Sequence, residues 1–327
     1  MRVLVMGGTA FLSSEVAREA MRRGHEVTCL ARGSKSTPPD DVEWIHADRD
    51  DGPGVYPARD WDVVVDVARH PIHVRDAVEA LGGRTGNWTL VSSCSVYADH
   101  SVPGEDESAQ LLPASTGDHM ESMEVYGEAK VACESAVGDL GDSVHICRSG
   151  LIGGRGDPSD RFGYWPARFA RHGDDQVLVP DVATQTQVIS VGDLASWILS
   201  AAENEVVGIF NAVGDPMPLS NMLVLIQATV SHTGEQVRVP PEWLEDHDVA
   251  VWSGENSLPL WLHPGEFDGF CARSNQAARK HGMRLSDPKD LILGSLSYER
   301  ELGIDRPRSA GLDPAREAEL LQLLADG

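Results

Sequence analysis

Arg2-Val3-Leu4-Val5-Met6-Gly7-Gly8-Thr9-Ala10-Phe11-Leu12-Ser13 is the stretch whose reading decides the fold. The run Arg2–Met6 is almost wholly apolar, as a strand buried on both faces must be. Two glycines turn the chain, and residues 11–23 follow with the apolar spacing of a helix. A strand, a glycine turn and a helix N-terminus together favour an anion. The free N–H groups of the first helical turn and the helix dipole both point at it. A dinucleotide fingerprint asks for glycine at three places, and here those places hold Gly7, Ala10 and Ser13. Ala10 adds a methyl where the backbone should approach the pyrophosphate. Ser13 adds a hydroxymethyl where helix and strand pack, with a hydroxyl able to bond a phosphate.

Outward from this unit, short apolar runs keep alternating with helical patterns. Residues 25–30, 42–46, 62–67, 88–92 and 144–148 read as strands, and 72–81 and 122–137 as helices. Such alternation predicts βαβ units and a parallel sheet. A polar loop at 99–121 precedes the second of these helices. Beyond Gly150 the pattern loosens, then residues 187–190, 191–202 and 208–213 read as strand, helix and strand returning to the first domain. From residue 216 helices dominate, interrupted by a Pro-, Trp- and Gly-rich loop at 251–269. The expected fold is α/β, a Rossmann-type doubly wound parallel sheet with a smaller, mainly helical C-terminal substrate lobe. The dinucleotide domain would take 1–150 with returns at about 187–215, and the lobe 151–186 and 216–327.

Acidic residues outnumber basic ones 51 to 27, for a net charge of −24. That balance argues against a nucleic-acid partner or an anionic membrane surface, either of which needs a basic face. Cys29, Cys94, Cys133, Cys147 and Cys271 show no CxxC spacing, so neither a disulfide framework nor a metal site is expected, and those in strands read as small buried hydrophobes. A first strand at residue 2 leaves no room for a signal peptide, and no apolar run approaches bilayer length, so a soluble, cytoplasmic protein is expected.

Chemistry is concentrated in Tyr126-Gly127-Glu128-Ala129-Lys130, behind the segment Val91-Ser92-Ser93-Cys94-Ser95-Val96-Tyr97. Tyrosine and lysine four apart on a helix share a face. An ammonium there favours phenolate over phenol and makes a usable base. A serine hydroxyl nearby would bond the oxygen of a carbonyl substrate. Strand alternation decides whether Ser92, Ser93 or Ser95 faces the site. After the second strand the chain reads Cys29-Leu30-Ala31-Arg32-Gly33, without the acid that an NAD site places against the ribose. Arg32 suits a 2′-phosphate, which favours NADP with NAD as the alternative. An ordinary surface charge is the bland reading of Arg32. Asp48 is placed to accept from an adenine amino group.

In their order these motifs resemble the short-chain dehydrogenase/reductase superfamily, in its extended or atypical branch of NAD-dependent epimerase/dehydratase-like proteins. The resemblance lies in Gly7-Gly8-Thr9-x-Phe11-Leu12, in Val-Ser-Ser-x-Ser-Val-Tyr, in Tyr-Gly-x-x-Lys, and in residues 188–197. It implies Tyr126 as general acid/base, Lys130 holding the nicotinamide ribose, and Ser93 orienting the carbonyl. Cofactor contacts are then implied at Gly7, Thr9, Ala10, Phe11, Leu12, Arg32, Asp48, Arg49, Val67, Ala68, Lys130 and Leu151. The implied reaction is hydride transfer to or from a small carbonyl or alcohol. Sugar epimerisation, or a non-catalytic NADP sensor on the same fold, are the alternatives. Cys94-Ser95 stands where sugar-nucleotide dehydratases carry Asp and Glu, which disfavours dehydration. Dimerisation through the Tyr126 helix is a further expectation. In the lobe, Arg161 is a candidate for a substrate carboxylate or phosphate, with Tyr164 and Trp165 as an apolar wall. Trp252, Trp261, Phe267 and Phe270 either line the cleft or form the lobe's own core.

Overall fold

The computed structural model describes residues 1–34 and 36–326. Its core is a seven-stranded parallel sheet. Six strands are β1 (Arg2–Met6), β2 (Glu26–Ala31), β3 (Glu43–His46), β4 (Trp61–Asp66), β5 (Thr85–Ser93) and β6 (Val144–Ser149), and the seventh is Gly208–Ala212. The order across the sheet is Gly208–Ala212, β6, β5, β4, β1, β2, β3, with every neighbouring pair parallel. This is the doubly wound order expected from the sequence. The direction of winding reverses at β1, where ligands bind beyond the carboxyl ends of the strands.

Strand periodicity explains why both faces are covered. Val3 and Val5 join one core with Val16 and Ala20 of α1 (Phe11–Arg22), whereas Leu4 and Met6 point the other way. On that second face they meet Val74 and Ala77 of α2 (Pro71–Leu81) and Cys133 and Val137 of α3 (Tyr126–Gly138). Two boundaries differ from the sequence expectation. β5 starts at Thr85, because Thr85 and Asn87 pair with Trp61 and Val63 despite their polarity. α3 starts at Tyr126, with a 3-10 turn over Met123–Val125 before it, since Ser122 has the residue type of an N-cap and makes no capping bond.

The second lobe has its own core around α4 (Arg161–Arg171), where Phe162, Trp165 and Phe169 pack with Leu219, Ile226, Ile292 and Leu320. The chain crosses between lobes repeatedly. Leu151–Gly153 pairs in parallel with Val188–Ser190, and α5 (Val191–Glu203) puts Trp197 and Ile198 into the α1 core. Ala278 and Met283, from the C-terminal half, join that same core. All five cysteines are free and buried. Among the described residues no helix is long and apolar enough to cross a membrane.

Candidate active site

The carboxyl ends of β5 and β6 open into a cavity of about 340 Å³. Its first-domain wall includes Phe11, Ser93, Ser95, Tyr126 and Leu151, and its lobe wall includes Asp157, Arg161, Trp252 and Phe270. The candidates for proton transfer, carbonyl orientation and substrate charge, Tyr126, Ser93 and Arg161, therefore share one space.

The serine question is decided by what β5 does at its end. Ser92 Oγ donates to Glu134 Oε1 at 2.5 Å, on the face away from the cavity. Ser93 faces the cavity, and the following 3-10 turn, Cys94–Val96, brings Ser95 beside it. Ser93 Oγ accepts from the Ser95 backbone N–H at 3.1 Å and lies 3.1 Å from Ser95 Oγ. The two hydroxyls form a pair, and one proton of the pair remains available to a ligand oxygen.

Lys130 is 2% exposed and donates to Ala68 O at 2.6 Å and Val91 O at 2.5 Å. An ammonium has three donors, so one is left over. Below it on α3, Glu134 holds Arg148 of β6 in a two-pronged ion pair, Nε–Oε1 3.0 Å and Nη2–Oε2 2.7 Å. Arg148 also reaches the Tyr97 hydroxyl at 3.1 Å, and that hydroxyl donates to Asn211 at 2.6 Å. This buried network fixes the helix carrying Tyr126 and Lys130 against β5, β6 and the seventh strand. Burial pushes the thiols of Cys94 and Cys271, both in the cavity lining, up to about 12, so neither is a nucleophilic thiolate.

The glycine turn fits a dinucleotide phosphate. Gly7 and Gly8 have φ of 128° and 88°, and a Cβ on Gly8 would stand 2.3 Å from Cys29 Sγ. Ala10 is exposed and extended at φ −142°, and α1 begins with no side-chain cap and no acid in its first turn. Its leading N–H groups are open to an anion. Ser13 is different from the sequence expectation: its hydroxyl donates to Ala10 O at 2.8 Å and its side chain is buried, so it does not reach for a phosphate. It occupies space that Gly7 vacates, since a Cβ on Gly7 would lie 3.0 Å from Ser13 Cβ.

The remaining candidates divide. Arg32 and Asp48 lie together at the surface, 3.5 Å apart, with Asp48 also accepting from the Asp50 N–H. Thr9 accepts from Ser36 through its carbonyl. Val67 flanks the turn, its Cγ2 lying 3.3 Å from where a Cβ on Gly7 would stand, and the Ala68 N–H bonds Asp66 at 2.9 Å. Arg49 is spent inside the protein, at 2.8 and 3.0 Å from the two Asp66 oxygens and on the Tyr56 hydroxyl, rather than open toward a cofactor. Tyr164 and Trp165 are also placed otherwise than expected. They are 1% and 0% exposed in the lobe core, where Trp165 Nε1 donates to Pro259 O at 2.8 Å. The apolar wall comes instead from Trp252 and Phe270, whose rings meet edge to face at 5.5 Å. Trp261 is core, and Phe267 stacks on His100. Asp157, which the sequence reading did not single out, lines the cavity. So does Gln187, which clamps residue 273 through both its N–H and C=O groups.

A doubly wound parallel sheet with a C-terminal lobe is a fold this chain shares with solved nucleotide-sugar epimerases. The chain superposes on UDP-glucose 4-epimerase from Thermotoga maritima with a TM-score of 0.67 at 15% identity, over 92% of this chain and 99% of that one. UDP-N-acetylglucosamine 4-epimerase from Bacillus cereus gives 0.66 at 18%, over 92% and 99%. UDP-glucuronic acid 4-epimerase from Bacillus cereus, in complex with NAD, gives 0.65 at 14%, again over 92% and 99%. These likenesses show a shared fold, the one expected from the resemblance. No protein-family model matches the chain, and no curated protein matches it.

Proposed function

We propose that the protein is an NADP(H)-dependent oxidoreductase acting on a small carbonyl or alcohol compound, with Tyr126 as its acid/base. The observation that carries this reading is the convergence of Tyr126 and the Ser93–Ser95 hydroxyl pair on one cavity, with the Lys130 ammonium buried beneath. The open α1 N-terminus, with Gly7 and Gly8 behind it, would hold the pyrophosphate, and Arg32 the 2′-phosphate. When bound, the nicotinamide supplies or accepts the hydride, and the matching proton passes through Tyr126 Oη. Ser93 and Ser95 orient the substrate oxygen by hydrogen bonding, strongest as negative charge develops there. The third donor of Lys130 is available to a ribose hydroxyl. Proton transfer of this kind contributes about 10²–10⁴-fold.

The test is NADPH oxidation against a carbonyl panel, wild type beside Tyr126→Phe. Turnover should fall by about that factor while NADPH affinity, read by fluorescence titration, stays within about twofold of wild type. Undiminished turnover in the variant would assign the proton to another group. Epimerisation is the second reading, supported by the activity of the solved neighbours over 92% of the chain. It predicts isomer formation without net NADPH consumption, and stoichiometric oxidation excludes it as the main reaction.

A further inference from the structure

The cavity lining has only two charged residues among those described, Asp157 and Arg161, which feel each other's charge without forming a direct ion pair. Arg161 opens α4, and no described carboxylate or carbonyl accepts from its guanidinium. Neighbouring arginines of this half are committed: Arg168 to Glu317, Arg273 to Glu105, Arg306 to Asp160 and Glu299, and Arg308 to Glu299. What Arg161 does touch is an aromatic face, its Cζ lying 4.9 Å from the ring centroid of Trp252. Trp252 sits at φ 67°, a left-handed conformation uncommon for a bulky residue.

Asp157 is the second, independent mark of a ligand. It is 9% exposed, its Oδ1 accepts from the Ser159 N–H at 2.8 Å, and its Oδ2 has no partner. Burial holds its carboxyl above the usual range. A ligand with several negative charges would crowd this carboxylate, whereas one negative charge can be taken by Arg161 alone. Size points the same way. At about 340 Å³ the cavity is at the small end of the roughly 300–1,000 Å³ range of ligand sites, and the reacting end of the cofactor has to share it.

We propose that the substrate is a small hydroxy or oxo compound bearing a single carboxylate, which Arg161 receives with Trp252 as its platform. The proposal rests on the carbonyl-reduction reading, because that reading assigns the reacting oxygen to the Ser93, Ser95 and Tyr126 end of the cavity. It separates this chain from its solved neighbours, whose diphosphate-linked sugars would exceed both the charge and the space available.

The test measures binding without chemistry. Calorimetric titrations of the whole chain would compare lactate with propane-1,2-diol and glycerate with glycerol, and would include UDP-glucose. At least one acid should bind about tenfold to a hundredfold more tightly than its uncharged counterpart, as hydrogen bonds to a charged partner imply. Arg161→Gln should abolish that preference, and Arg161→Lys, which keeps the charge, should retain part of it and report on folding independently. Equal binding of acid and neutral compounds overturns the proposal. So does a preference that survives in Arg161→Gln, or UDP-glucose binding as tightly as either acid. An acid preference that depends on Arg161 supports the recognition proposal even in a protein that turns over no carbonyl, an outcome that counts against the reductase reading alone.

Discussion

Replacing Arg148 by methionine would leave the Glu134 carboxylate stranded. The two side chains are 2% and 7% exposed and meet through two parallel contacts of 3.0 and 2.7 Å. In Arg148→Met, Glu134 keeps the Ser92 hydroxyl at 2.5 Å and loses both guanidinium donors. The Tyr97 hydroxyl and Glu107 O lose theirs as well, at 3.1 and 3.2 Å. Breaking one side of a buried pair costs about 3–5 kcal/mol, because an uncompensated charge stays buried. The folded-to-unfolded ratio should therefore drop by roughly a hundredfold to a few thousandfold. Removing both charges, as in Arg148→Met with Glu134→Leu, should recover most of the loss. Denaturant unfolding followed by tryptophan fluorescence gives both numbers. A single-variant loss below about 1 kcal/mol, or a double variant no better than the single, would refute the idea that this pair locks α3 to the sheet.

Two further outcomes follow from the same kind of reasoning. Arg32→Ala should weaken NADPH at least about tenfold and leave NADH nearly unchanged, since a charge-assisted contact to the 2′-phosphate is lost; equal weakening of both, measured by titration, would remove the 2′-phosphate assignment. His145 is completely buried against Trp197 and Phe210, has no partner on either ring nitrogen, and burial pushes its pKa down to about 3 from 6.5. Below 6.5 the unfolded chain gains a proton that the folded one refuses, so this residue withdraws stability as pH falls from 6.5 toward 3, by about 2 kcal/mol at pH 5. His145→Phe should remove that slope, and unfolding free energies at pH 8 and pH 5 that differ as much in the variant as in wild type would contradict it.

The sheet could be read from the sequence because β1 and its neighbours are buried on both faces, and long apolar runs have few other uses. The Tyr126–Lys130 pair was legible for a similar reason, its spacing being a property of one helix. The serines were not. Alternation separates Ser92 from Ser93, but Ser95 lies past the strand end, where a 3-10 turn breaks the two-residue period. Tyr164 and Trp165 misled because position after a strand does not tell which face of α4 meets the lobe's interior. Only Arg161, at the helix start, remains at the cleft. Arg49 was lost to Asp66, a carboxylate at the end of β4 that is adjacent in space and 17 residues away in sequence. Asp157 and Gln187 lie in connections whose turn chemistry hides their exposure to a cavity built by distant segments.

Because the backbone passes from one lobe to the other several times, and Ala278 and Met283 lend their side chains to the α1 core, no single cleavage yields two autonomous pieces. A fragment ending near residue 215 would show water an apolar scar on α1 and α5.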